Sequence, residues 1–153
     1  MSDAHLAYSE PDIAAALADA DAFCAAKAAR LTPLRRRVLE LLLQAGEPAK
    51  AYDLLAQLGE DGAAKPPTVY RALDFLLQMG LAHKIESLNA YVACGHHHHG
   101  HTAAFLICDL CGAAQELHAR GTVAALEAET KSVRFDVSNV VIEARGRCAS
   151  CAS

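Results

Sequence analysis

"KPPTVYRALDFLLQMGLAHKIESLNAYVAC", Lys65 to Cys94, changes its period in the middle. Pro67–Thr68 opens a helix, because proline's fixed φ suits the first turn and its missing N–H costs nothing there. In "TVYRALDFLLQM" Val69, Leu73, Leu76 and Leu77 then recur at helical spacing and form one apolar face. Tyr70 lies at its flank, and Arg71, Asp74 and Gln78 project elsewhere. Gly80 stops the helix. After it, "LAHKIES" and "AYVAC" are short β-prone runs joined through Leu88–Asn89, which predicts a hairpin.

Upstream the chain reads as helices with clear punctuation. "PDIAAALADADAFCAAKAARL" is an alanine-rich helix, and Thr32–Pro33 caps and opens "LRRRVLELLLQA", which ends at Gly46. "AYDLLAQL" is a short helix ending at Gly59. Compact helices followed by a two-stranded hairpin outline a winged helix-turn-helix, in which the helix before the wing, 68–79, enters the major groove of DNA.

Downstream, "TAAFLIC" and "AAQELHA" read as strands joined through "DLCG". "TVAALEAETKSV" is an amphipathic helix and "NVVIEARG" a last strand. About 50 residues is near the lower limit for an independent core, so this unit needs a metal, a partner subunit, or both. The expected fold class is α+β: an N-terminal winged-helix DNA-binding domain, 1–93, a His-rich hinge, 94–102, and a small C-terminal α/β dimerisation and zinc-binding domain, 103–153.

No apolar run approaches the roughly 18 residues of a membrane span, and the acidic N-terminus does not read as a secretory signal. The expectation is a cytoplasmic protein, whose six cysteines are ligands or core residues before they are disulfides. The net charge of −4 argues mildly against nucleic acid, but the distribution weakens that objection. Residues 1–21 hold five acids and no Lys or Arg, and residues 27–37 hold Lys27, Arg30, Arg35, Arg36 and Arg37 and no acid. Such a cluster is either a phosphate-steering patch or a solvated helix face.

Cys108-x-x-Cys111 and Cys148-x-x-Cys151 supply four thiolates, a closed tetrahedral shell suited to structural zinc. A thioredoxin-like redox pair needs only one such motif. Cys24, mid-helix among alanines, reads as a core thiol. Cys94, beside "GHHHHGH", could join histidines and a carboxylate in a second, more open site. His96, His97, His98 and His99, together with His118, are either an auxiliary zinc site or a hinge that captures metal only at high concentration. No serine or cysteine nucleophile stands out beside a base, so no enzyme and no small-molecule substrate are expected.

"LTPLRRRVLELL", "AYDLL", "KPPTVYRALDFLLQMGLAHKI", "AYVAC", "HTAAFLICDLCG" and "NVVIEARGRCASC" together resemble the ferric uptake regulator family, and within it the zinc uptake regulator branch. The resemblance spans about Ala20 to Cys151. It implies a zinc-responsive repressor of zinc-uptake genes that binds double-stranded operator DNA as a homodimer, singly or as a pair of dimers. It implies at least two Zn2+ per chain: a structural ion on Cys108, Cys111, Cys148 and Cys151, and a regulatory ion on His83, Cys94, His101 and Glu116. Tyr52 and Arg71 match DNA-contacting positions, with Lys65, Thr68, Tyr70, Arg35 and Arg36 beside them as DNA-binding candidates. The alternatives are an iron- or peroxide-sensing regulator of the same family, or a small zinc-dependent hydrolase using His101 and Glu116. A thiolate at Cys94 favours zinc over iron(II) or manganese.

Overall fold

Helical spacing of leucine and alanine accounts for most of the first half of the chain. In the computed structural model, which describes residues 9–60, 64–94 and 102–152, the chain divides into two compact units, covering described residues 9–94 and 102–152. Among the described residues no helix is long and apolar enough to cross a membrane.

Among its described residues the N-terminal unit holds four α-helices, α1 (Glu10–Ala26), α2 (Pro33–Ala45), α3 (Ala51–Glu60) and α4 (Pro66–Gln78), then the strands β1 (Ala82–Ile85) and β2 (Ala90–Ala93). On α1 the buried residues are Ile13, Leu17, Ala20 and Cys24, one stripe at steps of four and three. Thr32 caps α2 by accepting the Arg35 N–H at 3.5 Å, and Gly46 ends it at φ 61°. Helix α2 packs on α1, α4 and β2, so its buried Val38, Leu41 and Leu42 sit at the centre of one apolar cluster.

Among the boundaries that differ from the sequence reading, two have a visible local cause. Helix α1 stops at Ala26 rather than running on through Leu31. Ala28 takes a left-handed φ of 53°, and the Ala28 and Ala29 amides return to the carbonyls of Ala25 and Cys24. That is the Schellman closure, built here without the usual glycine, so no letter announces it. The first wing strand is also shorter, ending at Ile85. A 3-10 turn, Glu86–Leu88, follows it, and Asn89 at φ 47° reverses the chain. Asparagine tolerates that conformation better than most residues.

The C-terminal unit contains β3 (Ala103–Cys108), β4 (Ala114–His118), α5 (Arg120–Ser132) and β5 (Ile142–Gly146). Strand β3 is central, antiparallel to β4 and parallel to β5. The parallel pairing requires a crossover, which the segment containing α5 provides.

Candidate metal centre and nucleic-acid interface

Strand β3 buries Ala104, Phe105 and Ile107 and ends in buried Cys108. The chain then turns through Gly112 at φ 74°, whose amide bonds back to the Cys108 carbonyl at 3.0 Å. A β-carbon at that φ is strained, which is why glycine closes the loop. A second turn forms past β5, where the Cys151 and Ala152 amides both reach the Cys148 carbonyl at 2.9 Å. These two knuckles bring the sulfurs of Cys108, Cys111, Cys148 and Cys151 within 4.8 Å of one another.

The donor set fits zinc. Cys111 Sγ and Cys148 Sγ lie 3.8 Å apart, close to the edge of a tetrahedron whose metal–sulfur bonds are about 2.3 Å. Amides of Cys111, Cys148 and Leu110 stabilise the Cys108 thiolate and bring its pKa down to about 6. Each further proton is harder to remove. At Cys111 the Ala113 amide favours the thiolate, but the Cys108 sulfur, burial and the Cys148 sulfur together outweigh it and hold the thiol above the ordinary range. The sulfurs of Cys148, Cys108 and Cys111 push Cys151 up to about 12. A cluster that readily holds one negative charge and resists the rest suits a divalent cation, and loading it must expel protons, so affinity falls on acidification.

The wing presents a second donor pair. His83 is paired across the hairpin with Val92, and the Cys94 amide bonds to the Leu81 carbonyl at 2.9 Å. That register puts His83 and Cys94 diagonally on one face. Cys94 is buried, His83 Nε2 is shut off from solvent, and a ring nitrogen and Sγ of the pair lie within 4.8 Å. In the other unit Glu116 lies half-buried on β4 opposite Phe105, and His118 is exposed opposite Ala103. His96, His97, His98, His99 and His101 lie outside the described residues.

Helix α4 turns Val69, Ala72, Leu73 and Leu76 inward. This leaves Thr68, Tyr70 and Arg71 exposed on the other side, with Lys65 exposed at the helix start. Tyr52 on α3 is 79% exposed and Tyr70 50%. Large aromatic rings left in water at the ends of well-packed helices need an explanation other than packing.

The basic run is largely engaged inside the unit. Arg35 stacks its guanidinium on the Phe75 ring at 3.7 Å and donates to the Arg30 carbonyl at 2.8 Å. Arg36 pairs with Asp21 at 2.8 Å, and Arg37 with Glu40 at 2.7 Å. Asp21 and Glu40 were legible as acids, but nothing in the spacing of the letters named their partners. Cys24 is a core thiol, its pKa raised by burial first and by Asp21 second.

A winged helix with exposed tyrosines and arginine, joined in one chain to a four-cysteine knuckle unit, defines a metal-linked DNA-binding protein. The chain belongs to the Ferric uptake regulator family, whose model matches residues 26–145. It is 47% identical over 137 residues to the "Zinc uptake regulation protein" of Escherichia coli (strain K12), covering 88% of this chain and 80% of that one. A solved "Zinc Uptake Regulator Complexed With Zinc AND DNA" is 45% identical, with a TM-score of 0.88 and coverage of 92% and 95%. Holo XcZur is 47% identical, with a TM-score of 0.84 and coverage of 89% and 96%. The fold is that of these relatives, an N-terminal DNA-binding and a C-terminal dimerisation domain.

Proposed function

We propose that this chain is a zinc-responsive transcriptional repressor that binds operator DNA as a zinc-loaded dimer and shuts off zinc-uptake genes in the cytoplasm. The observation that carries the reading is a donor pair, half-buried His83 and buried Cys94, in the wing of the unit that exposes Thr68, Tyr70 and Arg71. It puts a soft metal site next to the DNA-reading surface. Relatives named for zinc uptake regulation, one of them solved with zinc and DNA, support it. The cysteine favours zinc over iron(II). The filled knuckle shell leaves no position for a catalytic water, which speaks against an enzyme.

Two sites per chain follow. Cys108, Cys111, Cys148 and Cys151 would hold a structural ion, which cross-links the sheet to the C-terminal tail. His83 and Cys94 on the wing, His101 at the hinge and Glu116 on β4 would hold the regulatory one. Ligands drawn from both units restrict their relative motion, so the ligand set selects one orientation of the reading heads on a dimer. Moving a population from mostly loose to mostly fixed takes about 5 kcal/mol of preference for the fixed form.

The dimer has its own support in the C-terminal unit. Val133, Phe135 and Val141 are 73%, 65% and 55% exposed, and Leu106 and Leu117 are each 40% exposed. A groove of about 510 Å³, lined in part by Leu106, Gln115, Ala144 and Arg147, lies open on the sheet face. Apolar surface on that scale marks an interface, and a second copy of this chain is the occupant that a two-headed DNA reader requires.

The test is a zinc titration of operator binding, run beside iron(II) and manganese(II), with metal counted per chain. Native protein should tighten on DNA with zinc alone. Cys94→Ser should stay folded and need roughly a hundredfold or more zinc. An unchanged zinc response in that variant would end the regulatory assignment.

A further inference from the structure

Asp109 stands between the two ligands of the first knuckle, and Arg145 stands on β5 shortly before Cys148. Arg145 donates to Asp109 Oδ1 from Nε at 2.8 Å and from Nη2 at 2.7 Å. The Asp109 amide in turn donates to the Gly146 carbonyl at 2.8 Å. Cys108 is the last β3 residue in register with β5, opposite Gly146. Backbone and side chain of Asp109 therefore carry the parallel pairing one residue past the strand and into the metal loop. The Cys148 amide completes the tie by reaching Cys108 Sγ at 3.4 Å.

Both side chains are about half exposed, so the pair adds little to global stability. Its position matters more. A zinc ion on four thiolates leaves a net negative centre, and Asp109, next in sequence to Cys108, adds another negative charge beside it. Arg145 compensates that charge, and it does so from the strand that delivers the second knuckle. Groups just outside the ligand shell tune metal affinity in this way.

We propose that Asp109 and Arg145 form a clasp that preorganises the four-cysteine centre, holding its two knuckles in register and offsetting the charge of Asp109. The proposal rests on the zinc reading of those cysteines. Both residues are positioning residues, and neither is a ligand. An asymmetry follows: loss of Arg145 leaves an uncompensated carboxylate beside the thiolates, whereas loss of the Asp109 charge removes the partner and the problem together.

The test uses the reduced full chain loaded with zinc and an excess of a chromophoric chelator, reading the slow phase of metal release, with cobalt(II) substitution to report thiolate geometry. Arg145→Gln should release zinc about three- to tenfold faster than native. Asp109→Asn should fall well short of that, the double variant should match Asp109→Asn, and Arg145→Lys should recover part of the loss. All should keep the tetrahedral-thiolate cobalt spectrum. A native release rate in Arg145→Gln, or a double variant whose effect is the product of the two singles, would overturn the clasp. A native chain without that cobalt spectrum would overturn the four-cysteine centre itself, and the clasp with it.

Discussion

The N-terminal unit buries Leu54, Leu73, Leu76 and Ile85 completely, whereas helix α5 of the C-terminal unit buries none of its described residues. The first unit folds as small domains ordinarily do, by removing apolar side chains from water at about 25 cal/mol per Å². The second has only Ala104, Phe105, Ile107, Cys108 and Ala119 buried among its described residues. It leaves larger groups such as Phe135 and Val133 in solvent. Burial holds one unit together. On the proposed function the other gains cross-links, from metal inside and from a second copy outside.

Removing a knuckle ligand is the strongest way to break this contrast. Cys108→Ser should unfold the C-terminal unit and leave the N-terminal helices intact, because a structural zinc site contributes on the order of 10 kcal/mol to folding. Amide spectra with and without chelator would show it, and a native-like second unit in that variant would erase the distinction. Leu73→Ala should do the reverse, destabilising the N-terminal unit by about 2–5 kcal/mol in a denaturant melt while the metal count stays constant. Arg71→Ala should leave both units folded and weaken operator binding by about 1–3 kcal/mol, relaxing preference at one base position. Equal losses on every sequence would make Arg71 a phosphate contact instead. The smallest effect is expected at the end of α1. Ala28→Gly relieves a left-handed φ of 53° and should raise stability by about 0.5–1 kcal/mol, readable as a small shift in the melting midpoint of the N-terminal unit.

Much of the architecture was readable from local patterns. Proline and threonine at the start of α4, Gly80 after it and the switch to short β-prone runs placed the reading helix and the wing. The gathering of four cysteines was equally plain, since two Cys-x-x-Cys motifs in one small unit commonly converge on one centre. The ending of α1 was not, because a left-handed alanine looks like any other alanine. The shortened β1 was missed for a related reason: Glu86 and Ser87 suit either a strand end or a tight turn.

The basic run of residues 27–37 shows the limit most clearly. As letters it is a phosphate patch or a solvated helix face, but in space Arg35 lies on Phe75, Arg36 faces Asp21 and Arg37 bonds Glu40. Charge is a property of the residue, and its availability is a property of the neighbours.

By itself, then, the order of residues determined helix and strand periods, caps and ligand types, since each of these depends on side chains a few positions apart. Tertiary structure alone decided that β5 runs parallel to β3 and that Arg145 reaches Asp109. It also decided that His83 and Cys94 share one face of the wing. Those pairings join residues distant in the chain through geometry that no short window contains, and they form only when the folded backbone brings the partners within bonding distance.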